Sequence, residues 1–121
     1  PSWSAGLPLA LALALALPGG PAAARGVVSP VEQAIGAYER GDVEAARAQL
    51  QALARRGLPA ADHNLGILAL DEGRLADAQA QFERAAGAGF VTSMLVLGRL
   101  HEAGRLDPAG RPDLPLAMRW Y

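Results

Sequence analysis

The chain of 121 residues contains no cysteine and no lysine, and only 5% of its residues are aromatic. The absence of cysteine excludes disulfides, thiolate metal ligands, cysteine nucleophiles and lipidation at cysteine. Its 11 basic residues are all arginine, nearly balance the 12 acidic ones and form no run longer than Arg55 and Arg56. Because contacts with phosphates need clustered positive charge, this composition argues against nucleic acid as a partner.

The N-terminal segment, 1–24, has the order of a secretory signal peptide. A run of leucine and alanine with one proline, 7–17, is followed by a Pro/Gly segment and by alanine at 22–24, before the charged Arg25. A helix of about 11 residues spans roughly 17 Å, whereas a bilayer core is roughly 30 Å thick. We therefore predict a signal peptide over 1–24, cleaved before Arg25, and a linker over 25–29. The alternatives are a disordered Ala/Pro linker and a retained membrane anchor.

The rest of the sequence repeats at a constant interval. We call this interval the repeat step; it equals the sequence separation between Gly41 and Gly73. At this step residues of the same type recur: Gly41 with Gly73, Gly57 with Gly89, Ala46 with Ala78, Leu50 with Phe82, Ala54 with Ala86, and Ala34 with Gly66 and Gly98. A period in the low thirties is the length of one helical hairpin, which cannot bury its own apolar face and stacks on its neighbours. The period predicts an all-α fold over 30–121. We expect an α-solenoid of stacked antiparallel hairpins over 30–58, 59–89 and 90–121, the last incomplete.

Capping residues predict where the helices begin and end. Ser29, Pro30 and Glu32 have the spacing of a capping box with proline at the first helical position. Gly41 is expected to end the first helix in the left-handed conformation, and Asp42 to cap the second. Each hairpin is therefore predicted to consist of two helices joined by a turn that contains glycine.

The third copy is longer than the others in the turn of its hairpin. The interval from Phe82 to its equivalent Tyr121 is longer than the interval from Leu50 to Phe82. The extra residues fall in the connection 105–112, where an insertion costs little stability. Asp113 is predicted to cap the last helix, over 114–121.

The residues of these copies resemble known helical repeats. The second copy resembles the tetratricopeptide repeat at its small and apolar positions, namely Leu65, Gly66, Ala69, Gly73, Ala78, Phe82 and Ala85. The third copy is similar to the Sel-one-like repeat. The similarity lies in 97–104, the longer turn, 113–117 and the pair Trp120 and Tyr121. The first copy departs from these repeats at Ala34, where they usually have glycine. The third copy departs from them at Leu116, where they usually have lysine. The resemblance covers most of 30–121.

This resemblance implies a scaffold without catalytic residues. In such families the first helix of each hairpin lines a concave groove that holds a peptide or another helix. Transferred copy by copy, the implied groove residues are Ile35, Tyr38, Glu39, His63, Ile67, Leu70, Asp71, Leu95, Arg99 and Glu102. Their mixture of apolar and charged side chains suits an amphipathic segment or a peptide end, whose carboxylate Arg99 would bind. The alternative for each is a solvated helix face.

The two histidines are the natural candidates for catalysis or metal binding. Asp62 is adjacent to His63, and Glu102 is adjacent to His101, but neighbouring residues on a helix point about 100° apart and share no face. We therefore predict surface or groove histidines, no catalytic residue, no metal site and no small-molecule cofactor.

The sequence thus predicts an exported scaffold that is not an enzyme. It would bind a protein or peptide in the bacterial envelope, as an adaptor or regulator, in the periplasm or outside the cell. Its contact with the membrane would be transient and made only by the signal segment. The alternatives are the docking or regulatory portion of a larger envelope enzyme, or a membrane-tethered assembly factor. Because Leu116, Trp120 and Tyr121 end the chain without a polar cap, we expect a longer array or a covering chain.

Overall fold

The computed structural model describes residues 28–121, so the predicted signal peptide and most of the linker lie outside the described residues. Within this range the chain forms α-helices and no β-strand, and the all-α prediction is confirmed. The helices, in chain order, are α1 (Pro30–Glu39), α2 (Val43–Arg55), α3 (Pro59–Asp71), α4 (Leu75–Gly87), α5 (Val91–Glu102) and α6 (Leu114–Trp120).

Side-chain caps define the starts of three helices. At α1 the Ser29 hydroxyl accepts a hydrogen bond from the Glu32 amide, and the Glu32 carboxylate accepts one from the Ser29 amide, both at 3.1 Å. Asp42 accepts from the amide of Ala45 at the start of α2. Asp113 caps α6 in the same way, so these predicted caps are confirmed. Each of these bonds satisfies an amide that the helix itself leaves unpaired.

Glycines in the left-handed conformation follow the first four helices. Gly41, Gly57, Gly73 and Gly89 have φ angles of 86°, 85°, 77° and 89°. Side chains with a Cβ adopt this region only at a cost. Turn glycines that lie one repeat step apart therefore share the left-handed backbone conformation. The short turns reverse the chain, and each helix packs mainly against the helices before and after it in sequence.

The core lies between these consecutive helices. Leu50, Leu68, Phe82, Leu97 and Leu100 are among its fully buried side chains. Helix α3 is the most enclosed, since every residue from 61 to 70 is buried. Helices α2 and α4 instead alternate buried apolar positions with exposed polar ones, as expected for amphipathic helices at the surface.

Small residues let an aromatic ring approach the first helix of a hairpin. The Phe82 ring lies against Gly66, where a Cβ would come within 2.8 Å of Phe82 Cε1. In the third hairpin the Tyr121 ring lies against Gly98 in the same manner. The equivalent residues of the first hairpin, Ala34 and Leu50, are both fully buried. A larger residue on one helix is thus matched by a smaller one on the other.

Gly104, which follows α5, is the tightest of the turn glycines. Its φ is 71°, and a Cβ there would collide with the Gly110 carbonyl oxygen of the connection 105–112. We expect Gly104→Ala to lower the free energy of unfolding by about 1–2 kcal/mol from the left-handed backbone, and by about 1 kcal/mol more from the collision. Urea unfolding followed by circular dichroism measures this loss.

Gly57→Ala is the matched control for that substitution. Gly57 has a similar φ of 85°, but nothing lies within 4 Å of the position of its Cβ. It should therefore lose only the backbone contribution. Equal losses for the two variants would mean that the connection 105–112 does not pack on Gly104.

Candidate functional site

The ten residues that the resemblance places in a groove differ in their burial. Ile35, His63, Ile67 and Leu70 are only 2%, 1%, 4% and 8% exposed. As the chain is folded, these four side chains are enclosed by the protein and do not present a surface to a ligand. Tyr38 is half-buried, and the other five, Glu39, Asp71, Leu95, Arg99 and Glu102, are exposed. Binding by these six residues stays a prediction.

Two of the accessible residues come together between the first and second hairpins. The Tyr38 hydroxyl on α1 donates a hydrogen bond to Asp71 Oδ2 on α3, with a distance of 3.4 Å between the oxygens. Partial burial, together with the negative charge of Asp71, raises the pKa of the Tyr38 phenol. The pair links the first helices of two hairpins and occupies polar groups that a ligand would otherwise contact.

A second group lies on the last two described helices, α5 and α6, and on Tyr121, which follows α6. We call it the end surface; its members are Val91, Leu95, Arg99, Glu102, Leu114, Met118 and Tyr121. Spacings of three and four place the α5 members on one face of their helix and the α6 members on one face of theirs. Five of the seven are large and apolar, and their exposed fractions range from 47% for Leu95 to 74% for Met118.

Tyr121 joins the two helices of the end surface. Its ring lies on Gly98 of α5, and its hydroxyl donates a hydrogen bond of 2.6 Å to Glu102 Oε1. This hydrogen bond is the main cause that raises the pKa of the Tyr121 phenol. The hydrogen bond holds the carboxylate of Glu102 at a defined place on the surface, and Arg99 precedes Glu102 by about one turn of α5.

The end surface is the uncovered counterpart of a covered one. One repeat step earlier, the positions of Leu95, Arg99 and Glu102 are occupied by His63, Ile67 and Leu70, all of them buried. At His63 the covering element is the start of α5. The Nδ1 atom of His63 lies 2.7 Å from Ser93 Oγ, and its ring centroid lies 5.2 Å from that of Phe90.

The prediction of a surface or groove histidine was wrong for His63, whereas His101, although buried, lines a cavity of about 400 Å³. His63 is 1% exposed and His101 5% exposed. Burial lowers the pKa of His63 to about 4, and it lowers the pKa of His101 as well. Because Ser93 is also fully buried, no substrate can reach the His63–Ser93 pair, and its role here is to join α3 to α5.

The main polar cluster at the surface, which sequence reasoning missed, joins α2 to the turn before α4. Arg47 forms ion pairs with Glu44 and Glu72, and Arg74 forms them with Glu72 and Asp77. The hydrogen bond from Arg47 is the main cause that lowers the pKa of Glu72. All of these groups except Glu44 line a cavity of about 480 Å³, but they already pair with one another, so the cavity offers a ligand little free charge. No local motif marks a pair such as Arg47 and Glu72, which are far apart in sequence.

Other comparisons add no chemistry to this picture. Within residues 28–121 no three histidine, aspartate or glutamate side chains are grouped closely enough to hold a metal ion. In the same part of the chain, no helix has both the length and the apolar character needed to cross a membrane. A comparison with known protein families, with curated proteins and with solved structures finds no match.

Proposed function

We propose that the chain is an exported helical-repeat scaffold that binds a protein or peptide partner in the bacterial envelope, as an adaptor or regulator. Its architecture would be an α-solenoid of three antiparallel hairpins, similar to tetratricopeptide and Sel-one-like repeats. The segment 1–24 would serve as its signal peptide, and the protein would act in the periplasm or outside the cell, without a cofactor and without catalysis.

Geometry that recurs along the chain supports the repeat architecture. The turn glycines at the repeat step share one left-handed conformation. Ala34, Gly66 and Gly98 occur at the same step and provide small residues in α1, α3 and α5. The Phe82 ring lies against Gly66, and the Tyr121 ring lies against Gly98. Consecutive helices supply nearly all of the packing, which is the contact pattern of repeats that touch only their neighbours.

The observation that carries the binding function is the exposure of the end surface. Large exposed apolar side chains that share the faces of two packed helices are typical of a binding surface. Leu95, Met118 and Tyr121 would supply apolar contact, while Arg99 and Glu102 would orient the partner. All of these side chains are accessible, in contrast to the four buried members of the groove that the resemblance implied.

Crosslinking in cells tests this function. The full chain, expressed in bacteria and crosslinked in the envelope fraction, should capture a partner. A variant with Leu95→Asp and Arg99→Glu should recover at least about tenfold less of it, because both substitutions fall on the end surface. Both sites are exposed, so the variant should keep its fold, which circular dichroism verifies.

The control for the crosslinking is Arg56→Glu, the same charge reversal as Arg99→Glu but at an exposed turn between α2 and α3. It should capture as much partner as the native chain. Equal capture by all three proteins, or capture by none, would show that the end surface binds no partner in the envelope.

A further inference from the structure

We infer that the cavity beside His101 binds the guanidinium group of an arginine side chain. The cavity has a volume of about 400 Å³ and lies between α4, the end of α5, the connection 105–112 and the start of α6. This volume is within the range of small-ligand sites, roughly 300–1,000 Å³. The cavity shares no residue with the end surface, so the inference goes beyond the proposed function and can hold or fail without it.

The charged side chains on the cavity wall leave one negative charge uncompensated. Asp107 and Arg111 of the connection pair with each other, with 3.1 Å between Arg111 Nε and Asp107 Oδ2. Asp113 also lines the cavity, but it forms no ion pair with another residue of the described range 28–121. One of its carboxylate oxygens accepts the amide of Leu116, which leaves the other for a ligand. This balance favours a cation over an anion in the cavity.

His101 adds a buried polar atom that lacks a partner. The residue is 5% exposed, and its Nε2 atom forms no hydrogen bond with the part of the chain that the structure describes. Burial lowers the pKa of His101 against the negative charges of Asp113 and Glu83, so the ring is neutral at pH 7 and does not repel a cation. A neutral imidazole accepts a hydrogen bond at one nitrogen, so a donor bound in the cavity can satisfy the atom that is left unpaired.

The remaining wall residues favour guanidinium over other cations. The amide of Gln79 donates to Glu83 Oε2 at 3.0 Å, which leaves the Gln79 carbonyl oxygen as a further acceptor. A planar guanidinium can donate to several separate acceptors at once, and it is more weakly hydrated than an ammonium group. Leu106 and Leu116 provide apolar walls along which the methylene groups of an arginine stem can pack.

Titration of the full chain with Nα-acetyl-L-arginine amide at pH 7, followed by the ring signals of the histidines in NMR spectra, tests the site. The His101 signals should shift and saturate with a dissociation constant of about 1 mM, as expected for a single side chain. The His63 signals are the internal control and should not shift, because His63 is enclosed beside Ser93 away from this cavity. Nα-acetyl-L-citrulline amide, which has nearly the same shape but no charge, should bind at least about tenfold more weakly.

A pair of matched variants tests the role of the charge. Asp113→Asn removes the negative charge but keeps a side chain that can cap α6, and it should weaken binding of the arginine amide by about fivefold or more. Asp42→Asn makes the same change at the cap of α2, outside the cavity, and should bind as the native chain does. The end-surface variant with Leu95→Asp and Arg99→Glu should also bind normally.

The absence of a saturable His101 shift, equal binding of the citrulline amide, or equal affinity of Asp113→Asn and the native chain would overturn the inference. Free L-arginine identifies the source of the group: if it binds more tightly than the amide, the ligand is the amino acid, and otherwise it is an arginine within a partner chain. Both results retain the guanidinium site. The proposed function fails separately, since a chain that captures a partner in cells without these shifts keeps the scaffold role and loses only this site.

Discussion

A Phe82→Ala variant is expected to lose about 3–5 kcal/mol of its free energy of unfolding. The ring is fully buried, lies against Gly66, and packs edge-on to His63 with 5.3 Å between the ring centroids. No side chain at position 66 can move into the space, because glycine has none, so a cavity should remain. Stability of this size is a large part of what a small domain possesses. Urea unfolding followed by circular dichroism measures the loss.

A double-mutant cycle tests whether Gly66 and Phe82 are matched in size. Gly66→Ala alone should cost about 1–3 kcal/mol, because its Cβ would come within 2.8 Å of the Phe82 ring. Phe82→Leu alone should leave a smaller cavity than the alanine variant. The double variant recreates the combination of Ala34 with Leu50 that the first hairpin already uses. Its total loss should fall below the sum of the single losses by about 1 kcal/mol. Additive losses would contradict the matching of these two positions.

The helix ends could be predicted from the sequence because they depend on local chemistry. A capping serine or aspartate acts on amides two or three positions away, and a left-handed glycine is required wherever the chain turns sharply after a helix. Ser29, Asp42, Gly41 and Gly57 all lie where this chemistry places them. The all-α fold follows from the same signals together with the period of the apolar residues.

The accessibility of the groove residues could not be predicted in this way. A helical period shows which face a residue occupies, but it does not show whether another helix covers that face. His63 is buried by Phe90 and Ser93 at the start of α5, whereas Leu95, one repeat step after His63, is exposed. The sequence therefore identifies the face shared by His63 and Leu95, and the fold decides that only Leu95 is accessible.

The burial of His63 has a consequence for stability as a function of pH. Burial lowers its pKa in the folded chain to about 4, below the value of about 6.5 for an unfolded chain. Above pH 6.5 both states are neutral and the difference has no effect. As the pH falls from 6.5 to 4, the unfolded chain binds a proton that the folded chain does not, so the folded state is progressively destabilised, by about 3 kcal/mol in total. Below pH 4 both states bind the proton and this contribution no longer changes.

Comparison with a His63→Gln variant isolates this contribution. Glutamine keeps a polar side chain beside Ser93 but does not titrate, whereas His101, Asp62 and Glu72, whose pKa values also shift on folding, are common to both proteins. The variant should be less stable at pH 7, because it loses the ring contacts with Phe82 and Phe90. Between pH 6.5 and 4, however, the native chain should lose about 3 kcal/mol more than the variant does, so that their unfolding free energies converge. Parallel curves over this range would mean that His63 binds its proton in the folded chain as readily as in the unfolded one, and that the contact between α3 and the start of α5 opens to admit it.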